Sequence, residues 1–174
     1  MPKELLDKKD IDRILARMAH EILEKNKGTK ELCLVGIQRG GVHLAKRLAG
    51  KIKEIEGKEI PVGSLDIAFY RDDLNIREKQ PAVRRTEVPC EITDMKVVLV
   101  DDVLFTGRSI RAAMDALMDM GRPSCIQLAV LIDRGHRELP VKADFAGKNI
   151  PTAVNETVEV SLEEDGLEDK VTIK

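Results

Sequence analysis

The segment with the most chemistry per residue is Val97-Val98-Leu99-Val100-Asp101-Asp102-Val103-Leu104-Phe105-Thr106-Gly107-Arg108-Ser109, in which an apolar run ends in two acids and a Thr-Gly-Arg-Ser turn opens a helix. At the carboxyl end of a buried parallel strand lies the crevice of an open α/β sheet, so adjacent Asp101 and Asp102 are presented at the mouth of a site. Two ionised carboxylates there accept hydrogen bonds from vicinal sugar hydroxyls, directly or through the water shell of a divalent cation. Thr106, Gly107, Arg108 and Ser109 add hydroxyls and backbone N–H groups at a helix N-terminus, which suits a phosphate. Gly107 is expected to let the phosphate approach closely. Acids for a sugar beside donors for its phosphate describe a phosphorylated ribose. Neither a Gly-Lys-Ser/Thr phosphate loop nor a Gly-x-Gly-x-x-Gly dinucleotide turn is present.

Around this segment the pattern alternates. Apolar residues Ile11, Ile14, Leu15, Met18, Ala19, Ile22 and Leu23 predict a helix over 10–27, with Gly28 as its stop. Residues 32–37 form a short apolar run expected to be a strand buried on both faces, closed by Gln38-Arg39-Gly40-Gly41, and Val42 to Ile52 a second helix. Alternation over 61–70 predicts a strand near a sheet edge. Lys96 to Val100 and Ile126 to Ile132 read as strands, and Ser109 to Met120 as a helix between them. This order predicts right-handed βαβ units and a parallel sheet covered by helices. Residues 157–162 are expected to add an antiparallel edge strand, and the last twelve residues are too acidic and irregular to place. Residues 71–95, with Arg77, Lys79, Arg84, Arg85 and two prolines, are expected to be a flexible functional loop.

Composition narrows the partners. The 174 residues, 43% hydrophobic and 34% charged, favour one domain, 1–174, with its own core. A net charge of -2 excludes a polycation that coats nucleic acid, so any such binding must use a local patch. With 2% aromatic residues, a base-stacking platform is unsupported. Cys33, Cys90 and Cys125 have neither disulfide nor zinc spacing. No window approaches a membrane span, so a cytoplasmic protein with no membrane partner is expected.

The segment from Val97 to Ser109 closely resembles the phosphoribosyl pyrophosphate signature of type I phosphoribosyltransferases. Asp66-Ile67-Ala68-Phe69-Tyr70-Arg71-Asp72-Asp73-Leu74, the run from Val130 to Pro140, residues 147–152 and Met18-Ala19-His20-Glu21 are similar to the bifunctional family of pyrimidine operon attenuators and uracil phosphoribosyltransferases. The resemblance spans nearly the whole chain. It implies an α/β, Rossmann-like parallel sheet flanked by helices, the type I phosphoribosyltransferase fold, with a small hood near the N- and C-terminal segments.

The same resemblance implies a transferase that makes UMP and pyrophosphate from uracil and phosphoribosyl pyrophosphate with Mg2+, and that binds pyrimidine-operon leader mRNA when charged with UMP or UTP. A homodimer or tetramer is expected. Asp101 and Asp102 match the ribose acids; Thr106, Gly107, Arg108 and Ser109 match the 5'-phosphate cradle. The turn of Arg39 and Gly40 matches the pyrophosphate loop, and Arg134 lies beside the base. Asp101, Asp102 and Arg39 are the catalytic candidates, and no direct protein ligand to a metal is assigned. Arg77, Arg84 or Arg85 of the loop would reach the leaving pyrophosphate. His20, Arg137, Lys142 and Lys148 match RNA-contacting positions, while Ala16 stands where the family often has a hydroxyl. The alternative is a plain uracil or purine phosphoribosyltransferase without RNA binding.

Overall fold

The computed structural model describes residues 1–70 and 86–174; Arg77, Lys79, Arg84 and Arg85 lie outside them. The central sheet has five parallel strands in the order β3-β2-β4-β5-β6. They are β2 (Leu32–Ile37), β3 (Val62–Leu65), β4 (Lys96–Leu104), β5 (Cys125–Asp133) and β6 (Phe145–Asn149). Side chains of a strand alternate between faces, and β2 and β4 carry apolar residues at both parities. Leu32, Leu34, Val98 and Val100 pack under α1 (Lys8–Asn26) and α2 (Gly40–Glu56), while Cys33, Val35, Val97 and Leu99 pack under α3 (Arg108–Met120). The sheet is therefore covered on both faces, as expected.

Helix α1 starts earlier than the periodicity suggests because Asp7 and Asp10 form a reciprocal capping box: the Asp10 amide donates to Asp7 Oδ1 at 2.8 Å and the Asp7 amide to Asp10 Oδ2 at 3.2 Å. At its other end Lys27 at φ 56° and Gly28 at φ 105° both take positive-φ conformations, and the Gly28 amide closes the motif on the Leu23 carbonyl at 3.0 Å.

Several strands differ from the sequence expectation. The 61–70 strand ends at Leu65, because the Asp66 carboxylate accepts the Ala68 amide at 2.9 Å and turns the chain into a short 3-10 helix. Strand β7 (Val158–Ser161) is an edge strand of a second sheet, not of the main one. It pairs antiparallel with β8 (Lys170–Ile173), which pairs antiparallel with β1 (Lys3–Leu6). The last twelve residues thus contain the middle strand of a three-stranded hood that joins both termini.

The stretch 71–95 also divides. Residues 86–95 are tied down: Ser64 and Glu87 exchange backbone hydrogen bonds of 2.7 and 2.8 Å, and Ile92 is fully buried. Residues 71–85 lie outside the described part.

What fixes the hood to the sheet is Arg47 of α2. Its guanidinium donates to both oxygens of Glu164, at 2.7 and 2.6 Å, and to both oxygens of Asp169, at 2.7 and 2.9 Å. Such forked pairing is strong when the carboxylate is shielded, and the Asp169 side chain is 3% exposed. Hydrogen bonds from Arg47 hold both carboxyls below the usual carboxylate range. The stabilisation is therefore present above the unfolded pKa of these acids and is lost as pH falls through their depressed folded values. Arg47→Ala should lower stability by about 1–3 kcal/mol at neutral pH, since it strands a buried carboxylate. Urea unfolding checks this, and the difference from the unsubstituted protein should shrink as pH falls through the depressed folded values of the two carboxyls.

Candidate functional site

In a parallel sheet every strand ends at the same edge, and here the register sets Ile37 beside Leu65, Leu104 beside Asp133, and Asp133 beside Asn149. The loops after β2, β4 and β5 consequently rise over one edge, and the candidate residues sit on them. Asp101 and Asp102 belong to the last part of β4 rather than to a turn beyond it. Each carboxylate is braced by the next backbone amide: Asp102 N–H donates to Asp101 Oδ1 at 2.9 Å and Val103 N–H to Asp102 Oδ1 at 2.7 Å. Burial, and then the charge of Asp102, pushes the Asp101 carboxyl well above the usual carboxylate range. The pair is a site of crowded negative charge that hydroxyl donors or a cation would relieve.

The turn after β2 touches this pair. A Cβ on Gly40 would lie 2.6 Å from Asp102 Oδ2, and one on Gly41 would lie 2.2 Å from the Val100 carbonyl oxygen. Both distances are inside van der Waals contact, so the start of α2 rests on the end of β4 only because these positions lack side chains. Arg39 precedes this turn as the N-terminal flank of α2, with an exposed guanidinium. The structure thus brings Arg39, Gly40, Asp101 and Asp102 to one edge. Beside it, a cleft of about 670 Å³ runs between the first turns of α2 and β3, with Gln38, His43, Lys46 and Ser64 on its walls.

The β4–α3 turn supplies the second half of the site. Gly107 has φ +93°, a left-handed conformation that glycine adopts without steric cost, and its hypothetical Cβ would come 3.2 Å from the Val141 side chain. The glycine is therefore required by backbone and packing, a reason different from the close phosphate approach expected of it. Thr106 is held by its carbonyl, which accepts the amides of Glu138 at 2.9 Å and Leu139 at 3.2 Å. Its Oγ1 accepts the Arg108 amide at 3.3 Å. Ser109 is half-buried in the first turn of α3, while Arg108 is exposed and donates to Glu138 at 3.2 Å.

Arg134 is buried at 6% exposure and its guanidinium lies 4.0 Å from the centre of the Phe105 ring. It also donates to Thr152 Oγ1 and to the Ala153 carbonyl, both at 3.2 Å. His136 meets the same ring edge-on at 6.1 Å and contacts the Thr152 carbonyl at 2.6 Å. This Phe105–Arg134–His136–Thr152 cluster joins the β4, β5 and β6 loops. Phe105 and Thr152 were missed as site residues, although Phe105 stands inside the acid-and-turn segment directly before Thr106.

The cationic candidates are dispersed. Arg137 turns inward: it donates to Asp133 at 2.6 Å and to the carbonyls of Val141 and Phe105 at 2.9 Å. His20 is exposed on α1, and Lys148 is exposed on β6, next to Gly147, whose carbonyl accepts from Arg17. Lys142 is exposed on the other side of the sheet, where it borders a small cavity with Ile110 and Met114 of α3. No group of three or more metal-binding side chains occurs among the described residues. No helix among them is long and apolar enough to cross a membrane.

Comparison with known proteins agrees with this architecture. Residues 2–165 match the family described as the phosphoribosyl transferase domain. The chain is 61% identical over 170 residues to the bifunctional protein PyrR of Pelotomaculum thermopropionicum, covering 98% of this chain and 94% of that protein. It is 58% identical over 172 residues to the bifunctional protein PyrR of Caldicellulosiruptor bescii, covering 99% and 94%. Among solved structures, a hypoxanthine phosphoribosyl transferase of Trypanosoma cruzi superposes with a TM-score of 0.75 at 18% identity, over 98% of this chain and 90% of that one. One from Staphylococcus aureus gives 0.67 at 22% identity, over 87% and 79%. At these identities the solved structures establish the shared fold, and the near relatives establish the branch: the chain belongs to the phosphoribosyl transferase family and, within it, to the bifunctional PyrR proteins.

Proposed function

We propose that this protein transfers the phosphoribosyl group of phosphoribosyl pyrophosphate to uracil, forming UMP and pyrophosphate, and that with uridine nucleotide bound it attaches to pyrimidine-operon leader mRNA and attenuates transcription. The observation that carries the enzymatic reading is the meeting at one sheet edge of the Asp101–Asp102 pair, the glycine turn of α2 and the helix start at Thr106–Ser109. In this reading Asp101 and Asp102 accept the two ribose hydroxyls. Thr106, Gly107, Arg108 and Ser109 take the 5'-phosphate at the N-terminus of α3, where backbone donors and the helix dipole favour an anion. Gly40 and Arg39 face the pyrophosphate, and Arg134 shapes the base side through its stack on Phe105.

The reaction forms a bond from uracil N1 to the sugar C1 and breaks the bond from C1 to the pyrophosphate oxygen, which leaves with the electron pair; N1 loses its proton. The transition state carries positive character on the sugar, so no enzyme nucleophile is needed. Holding acceptor and sugar in line and stabilising the departing charge with N–H donors and Arg39 supply the rate. The two oxygen-rich acids fit Mg2+ through substrate hydroxyls or water, and the ion, when bound with the donor, would neutralise charge on the leaving pyrophosphate. The exposed His20, Lys142 and Lys148 would meet RNA phosphate or unpaired base edges. Arg137 would act from beneath by holding the 133–141 segment. The protein works in the cytoplasm in this reading, as a homodimer or tetramer.

The assay is release of pyrophosphate from phosphoribosyl pyrophosphate and Mg2+ with uracil, hypoxanthine or guanine as acceptor. Uracil should turn over and the purines should not; turnover of a purine alone would leave the plain salvage alternative standing. Asp101→Asn with Asp102→Asn should reduce the uracil-dependent rate by roughly 100-fold or more, in line with losing charged hydrogen bonds to substrate.

Asp101 alone separates function from stability. Its carboxyl is harder to ionise in the folded chain than in the unfolded one, so the folded chain loses stability as pH rises above the unfolded value, and this penalty is relieved as pH falls back through the raised folded value toward the unfolded one. Asp101→Asn should therefore melt higher than the unsubstituted protein at neutral pH, by roughly 2–4 °C per kcal/mol relieved. The gain should diminish in acid while activity stays low.

The RNA half is tested by gel shift of a pyrimidine-leader hairpin. UMP should strengthen the complex, and rising salt should weaken it. No binding at low salt with UMP present would remove that half of the proposal.

A further inference from the structure

The hood turn at 163–166 stands over the N-terminal end of α2, and it is fixed there. Arg47 grips Glu164 and Asp169, Asp169 Oδ1 also accepts the Glu163 amide at 2.8 Å, and the Asp165 and Gly166 amides close the turn on Leu162 and Glu163 carbonyls at 3.0 and 2.9 Å. Asp165 faces away from this clasp. Its Oδ1 lies 3.3 Å from His43 Nε2 and 3.6 Å from the guanidinium of Arg39. A hood carboxylate is thus held against the cation that the reading above assigns to pyrophosphate.

The geometry says what such a contact does. At 3.6 Å, with the Arg39 side chain 60% exposed, the pair lies beyond hydrogen-bonding reach and cannot orient the guanidinium. It supplies charge alone. The Asp165 side chain is 25% exposed and extends from the turn that the Arg47 clasp holds over α2. An incoming diphosphate must share Arg39 with a negative neighbour, so the guanidinium offers it less net attraction.

We infer that Asp165 sets the affinity for the leaving group: it is an internal carboxylate that competes with pyrophosphate for Arg39, weakens its retention and thereby favours its release. The inference rests on the assignment of the Arg39–Gly40 turn to pyrophosphate and adds to it a residue from the other end of the chain. Where product release limits turnover, an affinity held down in this way raises the rate.

The test is calorimetric titration of the full-length protein with magnesium pyrophosphate at low ionic strength. Asp165→Asn should bind roughly 1.5- to 5-fold more tightly than the unsubstituted protein, the range of an exposed ion pair, and the gain should fade as salt is added. Glu168→Gln removes a charge from the same segment at a side chain 91% exposed and paired with Lys170 at 3.9 Å. It should leave the affinity nearly unchanged. In an Arg39→Gln background Asp165→Asn should give no gain, because the coupled partner is gone. Equal or weaker binding by Asp165→Asn, an equal gain from Glu168→Gln, or a gain that survives Arg39→Gln would overturn the inference. If the unsubstituted protein itself fails to bind pyrophosphate, the assignment of the turn falls instead, a result read from the first titration alone.

Discussion

The approach of the α2 N-terminal turn to the end of β4 is the contact on which the site depends. A side chain at Gly41 would enter the space of the Val100 carbonyl, one at Gly36 would meet the Gly41 carbonyl oxygen at 2.5 Å, and one at Gly40 would strike the Asp102 carboxylate. Glycine at these three positions therefore lets the α2 turn lie directly against the end of β4 and the Asp102 side chain. The consequence is electrostatic as much as steric. Packing backbone against Asp101 removes its water and raises its pKa, and placing Asp102 alongside adds repulsion. The unliganded chain is then poised to bind hydroxyl donors or a cation at this spot, because these restore what folding took away.

Charge of the opposite sense gathers within the same edge. The α2 and α3 N-termini carry partial positive charge, Arg39 and Arg108 extend it, and each of these arginines is met by an acid from a different loop, Asp165 or Glu138. Exposed pairs of this kind add little to stability, on the order of 0–1 kcal/mol. Their weight lies elsewhere: a cation already engaged by a carboxylate presents less net charge to an arriving anion. The hood contributes such an acid because Arg47 anchors its turn, so a structural clasp at Asp169 and Glu164 determines where the charge of Asp165 falls.

Those parts of the fold buried on both faces were legible in the sequence. The runs at 32–37 and 96–100 are continuous and apolar, helices α1 to α3 show helical spacing, and the acids and Thr-Gly-Arg-Ser turn mark a strand end and a helix start. Strands β1, β6 and β8 were not legible. Each is short, and Phe145–Asn149 and Lys170–Ile173 carry little periodicity; β8 is held between β7 and Lys3–Leu6, the latter over 160 residues away in sequence. Local pattern has no access to such partners. The 61–70 alternation failed at Asp66 for the opposite reason, since one carboxylate capturing a nearby amide outweighed the strand pattern. In the site, residue types were readable and partners were not. Arg137 looked like a surface cation and instead ties Asp133, Phe105 and Val141 together.

That inward use of Arg137 bears on how one small chain could serve a nucleotide and an RNA. The guanidinium spans the end of β5, the β4–α3 turn and the segment approaching β6, while Arg134 and His136 press the same Phe105 ring. Loops that would be independent on an ordinary sheet edge are here one cross-linked body. Phe105 thus links the Thr106–Ser109 turn to the 134–137 segment. Coupling between a filled pocket and an outer surface needs an element that two sites can both bias. The 133–141 segment has the required connections: its inner side chains bind the pocket loops, and the chain continues directly to the exposed Lys142. Arg137 donates to the carbonyls of Phe105, Gly135 and Val141 as well as to Asp133, so its loss would be felt as a loosening of both loops together.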